Sequence, residues 1–294
     1  MVHSDKPGGN PLGETLASPS SYAPEVLFPI ARDPARKAIG LSDQLAMHGF
    51  DHWQAFELSW LDKNGKPCVS VAELYFDCNS PSIVESKSLK LYLNSFNHER
   101  IQSIDLLRAT IQSDLEIASG SAVEVIVHSL PDYRLLMAKH FATCLEPSAP
   151  RVDLDHFPLI DQVAPLDASV LKVSRLVKQH SQDNTAAEKR YVSDLFRSNC
   201  PVTNQPDWAS IEIKVSGVEI EESSLLSYLC SFRNHQGYHE ECAERIFVAL
   251  SHQCKPESLQ VSMNYLRRGG LDINVYRSSI PIAYTEKLGR DVRQ

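Results

Sequence analysis

The chain has 294 residues, of which 43% are hydrophobic, and carries a net charge of −8 with a pI of about 5.8. That length supports two domains of about 150 residues, and the acidic balance leaves no general field to draw in nucleic acid or an anionic membrane. No apolar run follows a basic start, and no stretch approaches the roughly 18 apolar residues that cross a bilayer, so a cytoplasmic protein is expected. Seven cysteines, at positions 68, 78, 144, 200, 230, 242 and 254, form no CxxC pair in a chain too large to need disulfide staples, which predicts reduced thiols.

Residues 1–40 are rich in Pro, Gly and Ser around one apolar island, Val26-Leu27-Phe28-Pro29-Ile30. They predict an ordered but irregular arm, of a kind that could lie across a partner surface. Trp53 to Trp60 and Cys68 to Phe76 read as two strands joined by Asp62-Lys63-Asn64-Gly65, a strong hairpin turn. Ile101, Ile104, Leu107, Ile111, Leu115 and Ala118 then mark one face of a helix, which Gly120 stops before the strand Val123 to Val127. Residues 129–185 read as a long, weakly patterned connection containing Pro147, Pro150, Pro158 and Pro165. The boundary falls near 170, giving a first module over 41–170 and a second over 171–294.

The second half repeats the first. A shift of 136 carries Glu85, Ser88, Leu89, Tyr92, Leu93, Ser95 and Phe96 onto Glu221, Ser224, Leu225, Tyr228, Leu229, Ser231 and Phe232, a density of identity that argues for duplication. Tyr191 to Phe196 and Trp208 to Val215 become the opening hairpin, so Cys200 falls where the first copy has its Asn64-Gly65 turn. Ala243, Ile246, Phe247 and Leu250 give a helix face. Leu259, Val261, Met263 and Tyr265 then alternate into the turn Arg267-Arg268-Gly269-Gly270, before Leu271, Ile273 and Val275. The class is α+β, with antiparallel sheets and helices on one face.

The copies differ where chemistry would sit. Ser198-Asn199-Cys200-Pro201-Val202-Thr203-Asn204-Gln205-Pro206-Asp207-Trp208 places a thiol and a carboxylate in a loop stiffened by two prolines, a setting for a nucleophile; a small buried thiol is the plainer reading. Lys87 and Lys90 become Ser223 and Leu226, while Tyr238-His239-Glu240 occurs only in the second copy. Neither half keeps a full polar set, so a site assembled across a module or subunit contact is expected. Plainer readings stand beside these: Lys87 and Lys90 as a solvated helical face, Arg267 to Gly270 as an ordinary turn, and Glu240 with Glu241 as an exposed helix-start pair. His235, His239 and Cys242 have spacings that suit zinc on one helix face, although Gly237 argues against a continuous helix there. No GxGxxG occurs among the 12 glycines, so composition does not predict a nicotinamide cofactor.

Glu85-Ser86-Lys87-Ser88-Leu89-Lys90-Leu91-Tyr92, the loop from Ser198 to Trp208, and Tyr238-His239-Glu240 together resemble the bimodular 7-cyano-7-deazaguanine reductases, the NADPH-dependent nitrile reductases of queuosine biosynthesis. The resemblance runs from about residue 45 to the C-terminus. It implies the tunnelling fold of tandem ββααββ modules, and it implies Cys200 as the nucleophile forming a thioimide, Asp207 as general acid and base, and His239 as its assistant. It implies further that Val84, Glu85, Ser86, His239 and Glu240 bind substrate, that Ser86, Lys87, Arg268 and Gly269 bind NADPH, and that no metal takes part. A homodimer acting on a small 7-deazaguanine nitrile, with no direct nucleic-acid or membrane contact, follows from the same resemblance. Two alternatives remain: a zinc-dependent pterin cyclohydrolase or synthase relative, which would share the fold, and a noncatalytic purine-binding module.

Overall fold

The computed structural model of the protein describes residues 18–42, 44–144, 151–160, 165–177, 188–286, 290 and 293–294. In chain order its strands and α-helices are β1 (Pro29–Ala31), α1 (Asp33–Ala38), β2 (His48–Leu61), β3 (Pro67–Asp77), β4 (Ser82–Val84), α2 (Ser86–Asn94), α3 (Ile104–Ser119), β5 (Val123–Ser129), α4 (Leu130–Cys144), β6 (Arg151–Asp153), β7 (Val173–Leu176), β8 (Lys189–Asn199), β9 (Pro206–Ser216), β10 (Val218–Ile220), α5 (Glu222–Ser231), α6 (His239–Cys254), β11 (Ser258–Tyr265) and β12 (Leu271–Ser278). Two compact units interleave along the chain. One takes the chain up to Arg32, Trp53–Leu135 and Arg268–Leu271; the other takes Asp33–His52, Leu136–Arg267 and Asp272–Gln294. The long strand β2 is divided between them, so the compact bodies are not two consecutive halves of the sequence.

In the first unit the β2–β3 hairpin closes where the turn residues predict. Asp62 Oδ1 accepts from the backbone N–H of Asn64 at 2.8 Å and of Lys66 at 2.9 Å, and Gly65 supplies the positive φ of 86° that the turn requires. β3 pairs antiparallel with β5, from Ser70↔Ser129 to Phe76↔Val123. α3 packs on β5 through the apolar stripe Leu107, Ile111 and Leu115, all fully buried. Ser103 caps its start, and Gly120, at φ 75°, ends it.

The second unit completes the pattern: β9 pairs antiparallel with both β8 and β11, and β11 with β12, while α5 packs on β8 and α6 on β11. Leu225, Phe232, Ala243, Ile246, Phe247 and Leu250 meet Ile213, Val261 and Met263 in a fully buried core. Every position of β12 is buried, including the polar Asp272 and Asn274. Alternation along these strands therefore separates apolar from polar neighbours, not inside from outside.

The identities of the repeat have a physical cause. Glu85 caps α2, accepting from the N–H of Lys87 and Ser88 at 3.0 and 2.7 Å; Glu221 caps α5, accepting from the N–H of Ser224 at 2.7 Å. The hydroxyls of Ser88 and Ser224 donate back to the carbonyls of Glu85 and Glu221. Each also accepts from an incoming segment, Ser88 from the N–H of Phe28 at 3.0 Å and Ser224 from that of Lys172 at 3.1 Å. The N–H groups of Glu85 and Glu221 donate to the carbonyls of Phe28 and Lys172, each at 2.9 Å. β1 then pairs with β4, as β7 pairs with β10.

Two expectations change. Residues 29–31, expected in an irregular arm, form a strand that pairs with β4 within the first unit, as 173–176 pair with β10 in the second; residues 1–17 of that arm lie outside the described residues. The expected connection over 129–185 opens instead with α4, where the second copy has β12; its residues 145–150, 161–164 and 178–187 lie outside the described residues. Among the described residues the first copy thus keeps three of the four sheet strands of its module, β2, β3 and β5.

Glu221→Ala should lower stability by about 1 kcal/mol, the usual worth of a helix N-cap. It should appear as a lower urea midpoint with an unchanged slope; an unchanged midpoint would show that Glu221 does not hold the start of α5.

Candidate active site

Within the second unit the Cys200 loop is held at both ends. β8 and β9 pair through Ser198↔Asp207 and Asn199↔Pro206, so Cys200 stands one residue beyond the last pair. The Cys200 N–H donates to the Gln205 carbonyl and the Asn204 N–H to the Cys200 carbonyl, both at 2.9 Å. Asn204 takes φ 55° to close this turn, a backbone region that Asn tolerates better than most residues. The segment before α6 runs alongside: the Asn199 N–H donates to His235 O at 2.8 Å and the Gly237 N–H to Asn199 O at 3.1 Å. Gln236 Nε2 adds a bond to Asn204 Oδ1 at 3.0 Å. Two residues later α6 begins with His239, so the ladder that fixes the thiol loop also fixes the imidazole.

His239 Nε2 stands 3.8 Å from Asp207 Oδ1, the carboxylate being 4% exposed and the imidazole 17%. The Tyr265 ring meets the imidazole edge-on, with centroids 4.0 Å apart. Glu240 is buried in the first turn of α6, which overturns its reading as half of an exposed charge pair. Glu241 is the more open member: burial pushes its carboxyl up, but hydrogen bonds from His235 and Arg245 outweigh that and leave it below the usual range. Cys200 is half-exposed. Cys242 of α6 is fully buried, and burial pushes its thiol up to about 12 against a hydrogen bond with Ser198. Trp208 is the strand neighbour of Asp207, and Arg197 and Arg233 carry their guanidinium groups 5.7 and 5.6 Å from its ring centroid.

The first unit brings together a second set. Val84 and Glu85 are buried at the end of β4 and the cap of α2, with Ser86 and Lys87 exposed on the first turn. Gly269, at φ 59°, lies so near Lys90 that a Cβ there would stand 3.3 Å from Nζ. Lys90 also pairs with Glu57 at 3.2 Å, and Arg268 is exposed in a turn closed by its N–H donating to the Leu271 carbonyl at 2.8 Å. The structure thus groups Cys200, Asp207, His239 and Glu240 in one unit, and Val84, Glu85, Ser86, Lys87, Arg268 and Gly269 in the other.

Residues 18–127 match the family described as nitrile reductase, 7-cyano-7-deazaguanine-reductase N-term, and residues 206–282 match the one described as QueF-like protein. The NADPH-dependent 7-cyano-7-deazaguanine reductase of Burkholderia ambifaria is 44% identical over 273 residues, covering 93% of this chain and 94% of that protein. The enzyme of the same name from Stenotrophomonas maltophilia is 43% identical over 289 residues, covering 98% of this chain and 99% of that protein. The chain belongs to the 7-cyano-7-deazaguanine reductase family. Among solved structures, the archaeosine synthase QueF-Like in its apo form overlaps 35% of this chain and all of its own, at 17% identity and a TM-score of 0.29.

For a member of the reductase family, the zinc spacing of His235, His239 and Cys242 has a plain geometric fate. α6 starts at His239, which leaves His235 off the helix, and Gly237 packs where a Cβ would stand 3.0 Å from His235 Nε2. Among the described residues no three His, Cys, Asp or Glu side chains gather as a ligand set. Sequence reading did not single out Asn199 or Gln236, which hold the thiol loop, because a backbone ladder between remote segments leaves no periodic trace.

In the folded protein at pH 8, iodoacetamide should modify Cys200 well before Cys242 and Cys254. The second pair are buried, and burial pushes their thiols up to about 12 and about 11, so both stay protonated at pH 8. Peptide mass mapping over a time course reads the order; equal rates at Cys200 and Cys242 would contradict the burial pattern.

Proposed function

We propose that the chain reduces the nitrile of 7-cyano-7-deazaguanine to the primary amine of 7-aminomethyl-7-deazaguanine, consuming two NADPH, as a step of tRNA queuosine biosynthesis. The observation that carries this reading is the half-exposed Cys200, held in a closed turn beside an Asp207–His239 pair, in a chain more than 40% identical to reductases of that name along nearly its whole length. Cys200 Sγ adds to the nitrile carbon. Asp207 takes the thiol proton and delivers it to the nitrile nitrogen, and the product is a thioimide. NADPH, when bound, supplies a hydride at each of two stages. Between them the Cys200 thiolate leaves as an imine forms, and Asp207, assisted by His239, supplies the proton that the nitrogen needs at each stage.

Glu240 and Glu85 suit the donor edge of a guanine-like base, because a carboxylate only accepts; Val84 ends β4 before Glu85 and Ser86 begins α2 after it. Glu85 spends one lone pair of each oxygen on the cap of α2 and retains the others for a ligand. The residues assigned to NADPH fit a phosphate-bearing ligand. Lys87 and Arg268 present exposed cations, Ser86 adds a hydroxyl at a helix start, and Gly269 turns through positive φ without a side chain in the way. A homodimer belongs to the same reading, as does a duplication whose second copy begins near residue 170, which the matching Glu85 and Glu221 caps support. No helix among the described residues is long and apolar enough to cross a membrane. With the net charge of −8, this supports a cytoplasmic enzyme that meets its substrate as a free base and not on nucleic acid.

Incubation with 7-cyano-7-deazaguanine without NADPH should add the mass of one nitrile per chain, mapped to Cys200 and absent in Cys200→Ala. A protein that turns over with no adduct on Cys200, or one carried by another cysteine, would remove Cys200 from the mechanism, and full activity after Cys200 alkylation would favour a structural thiol. Asp207→Asn should slow reduction by roughly 10²-fold or more, the scale of general acid catalysis. Lys87→Ala should raise the NADPH KM more than it lowers kcat, since a phosphate contact is made in ground and transition states alike, and should leave adduct formation intact. An unchanged KM with lost adduct would assign Lys87 to the nitrile side.

A further inference from the structure

Tyr265 ends β11 opposite Ala209, two residues along β9 from Asp207. Side chains two apart on a strand project to the same face, so Tyr265 and Asp207 rise from adjacent strands toward α6. There the Tyr265 ring closes on the imidazole of His239, with centroids 4.0 Å apart and planes at 70°. Its Oη reaches the backbone oxygen of His239 at 3.5 Å and lies 3.9 Å from Met263 Sδ. Phe196 backs the ring at 6.2 Å, edge-on, and Tyr265 is 1% exposed.

An edge-on aromatic contact has a preferred direction, and a ring so enclosed has little freedom to turn. We infer that Tyr265 is a positioning residue for proton transfer: its ring fixes the plane of the His239 imidazole so that Nε2 faces Asp207. Nothing in the assigned chemistry requires Tyr265 to touch substrate or cofactor. Burial, with Cys242, Asp207 and Glu240 nearby, holds the phenol well above its ordinary pKa, so it stays an uncharged wall that adds no third acid beside Asp207. The inference rests on the reading of Asp207 and His239 as the proton-transfer pair.

Because Tyr265 acts through His239, its loss should matter only while His239 is present. Tyr265→Leu and Tyr265→Met should each lower kcat by roughly 10²-fold, the scale of an ångström of misplacement, with the NADPH KM and the final extent of the Cys200 adduct unchanged. Tyr265→Phe keeps the ring and should stay within about 3-fold of the parent. In a His239→Asn background, Tyr265→Leu should cost almost nothing further, as coupled residues fail to add. Methionine, which fills irregular gaps, provides the second variant if leucine does not fold. Additive losses in the double variant, or a Tyr265→Phe defect as deep as Tyr265→Leu, would overturn the inference while leaving the pair itself in place. A His239→Asn variant of full activity would remove the pair, and the inference with it.

Discussion

The parallel ladder between Asn199 and the 235–237 segment is the constraint on which the second unit's chemistry depends. Two backbone hydrogen bonds, at 2.8 and 3.1 Å, join the strand end that precedes Cys200 to the residues that precede His239. Without them the thiol loop and the start of α6 would be two separate mobile elements, and a nucleophile and a proton donor a few ångströms out of place lose most of their advantage. Gly237 makes the approach possible. A Cβ there would press on His235 Nε2 at 3.0 Å and on Cys242 Sγ at 3.3 Å.

α6 needs anchoring along its length, since one end carries His239 and Glu240. Glu244, one turn further on, accepts from Arg36 of α1 at 2.7 and 2.9 Å and from Arg277 of β12 at 2.9 and 3.1 Å. Arg277 is fully buried and donates also to Asp51 at 2.7 Å and to the carbonyls of Phe50 and Tyr276. A buried ion cluster of this kind adds little net stability against an apolar replacement, because desolvation offsets attraction. Its effect is directional: with its donors satisfied, Arg277 accepts one placement of Glu244, and so one rotation of α6.

The duplicated helix caps show how one scaffold serves two roles. Glu85 and Glu221 do the same structural work at the start of α2 and α5, yet the residues that follow have diverged: Ser86 and Lys87 offer an exposed hydroxyl and a cation, where Glu222 and Ser223 offer a carboxylate and a hydroxyl. The scaffold held while the exposed first turn changed, since a cap is satisfied by the backbone whatever the outward side chains are. The second copy changed its hairpin instead, lengthening the turn and placing Cys200 within it.

Local patterns along the chain carry most of the secondary-structure elements and the candidate residues, though not the interleaved division into two compact units. Apolar periodicity marked α3, α6 and the hairpin strands to within a few residues, because each depends on its own burial pattern and stop signals. The repeat was legible because the cap serines and glutamates bond within a few residues of themselves. Tertiary structure decided the rest, where the deciding partners are remote in sequence. α4 stands where a fourth strand was due, and its weak amphipathic pattern left no clear face to read. The strand pairing of residues 29–31 goes with the bonds of Phe28 to Ser88 and Glu85, about 60 residues away. The meeting of Asp207, His239 and Tyr265 requires β9, β11 and α6 to pack together, and no local spacing encodes a contact between side chains on three separate elements.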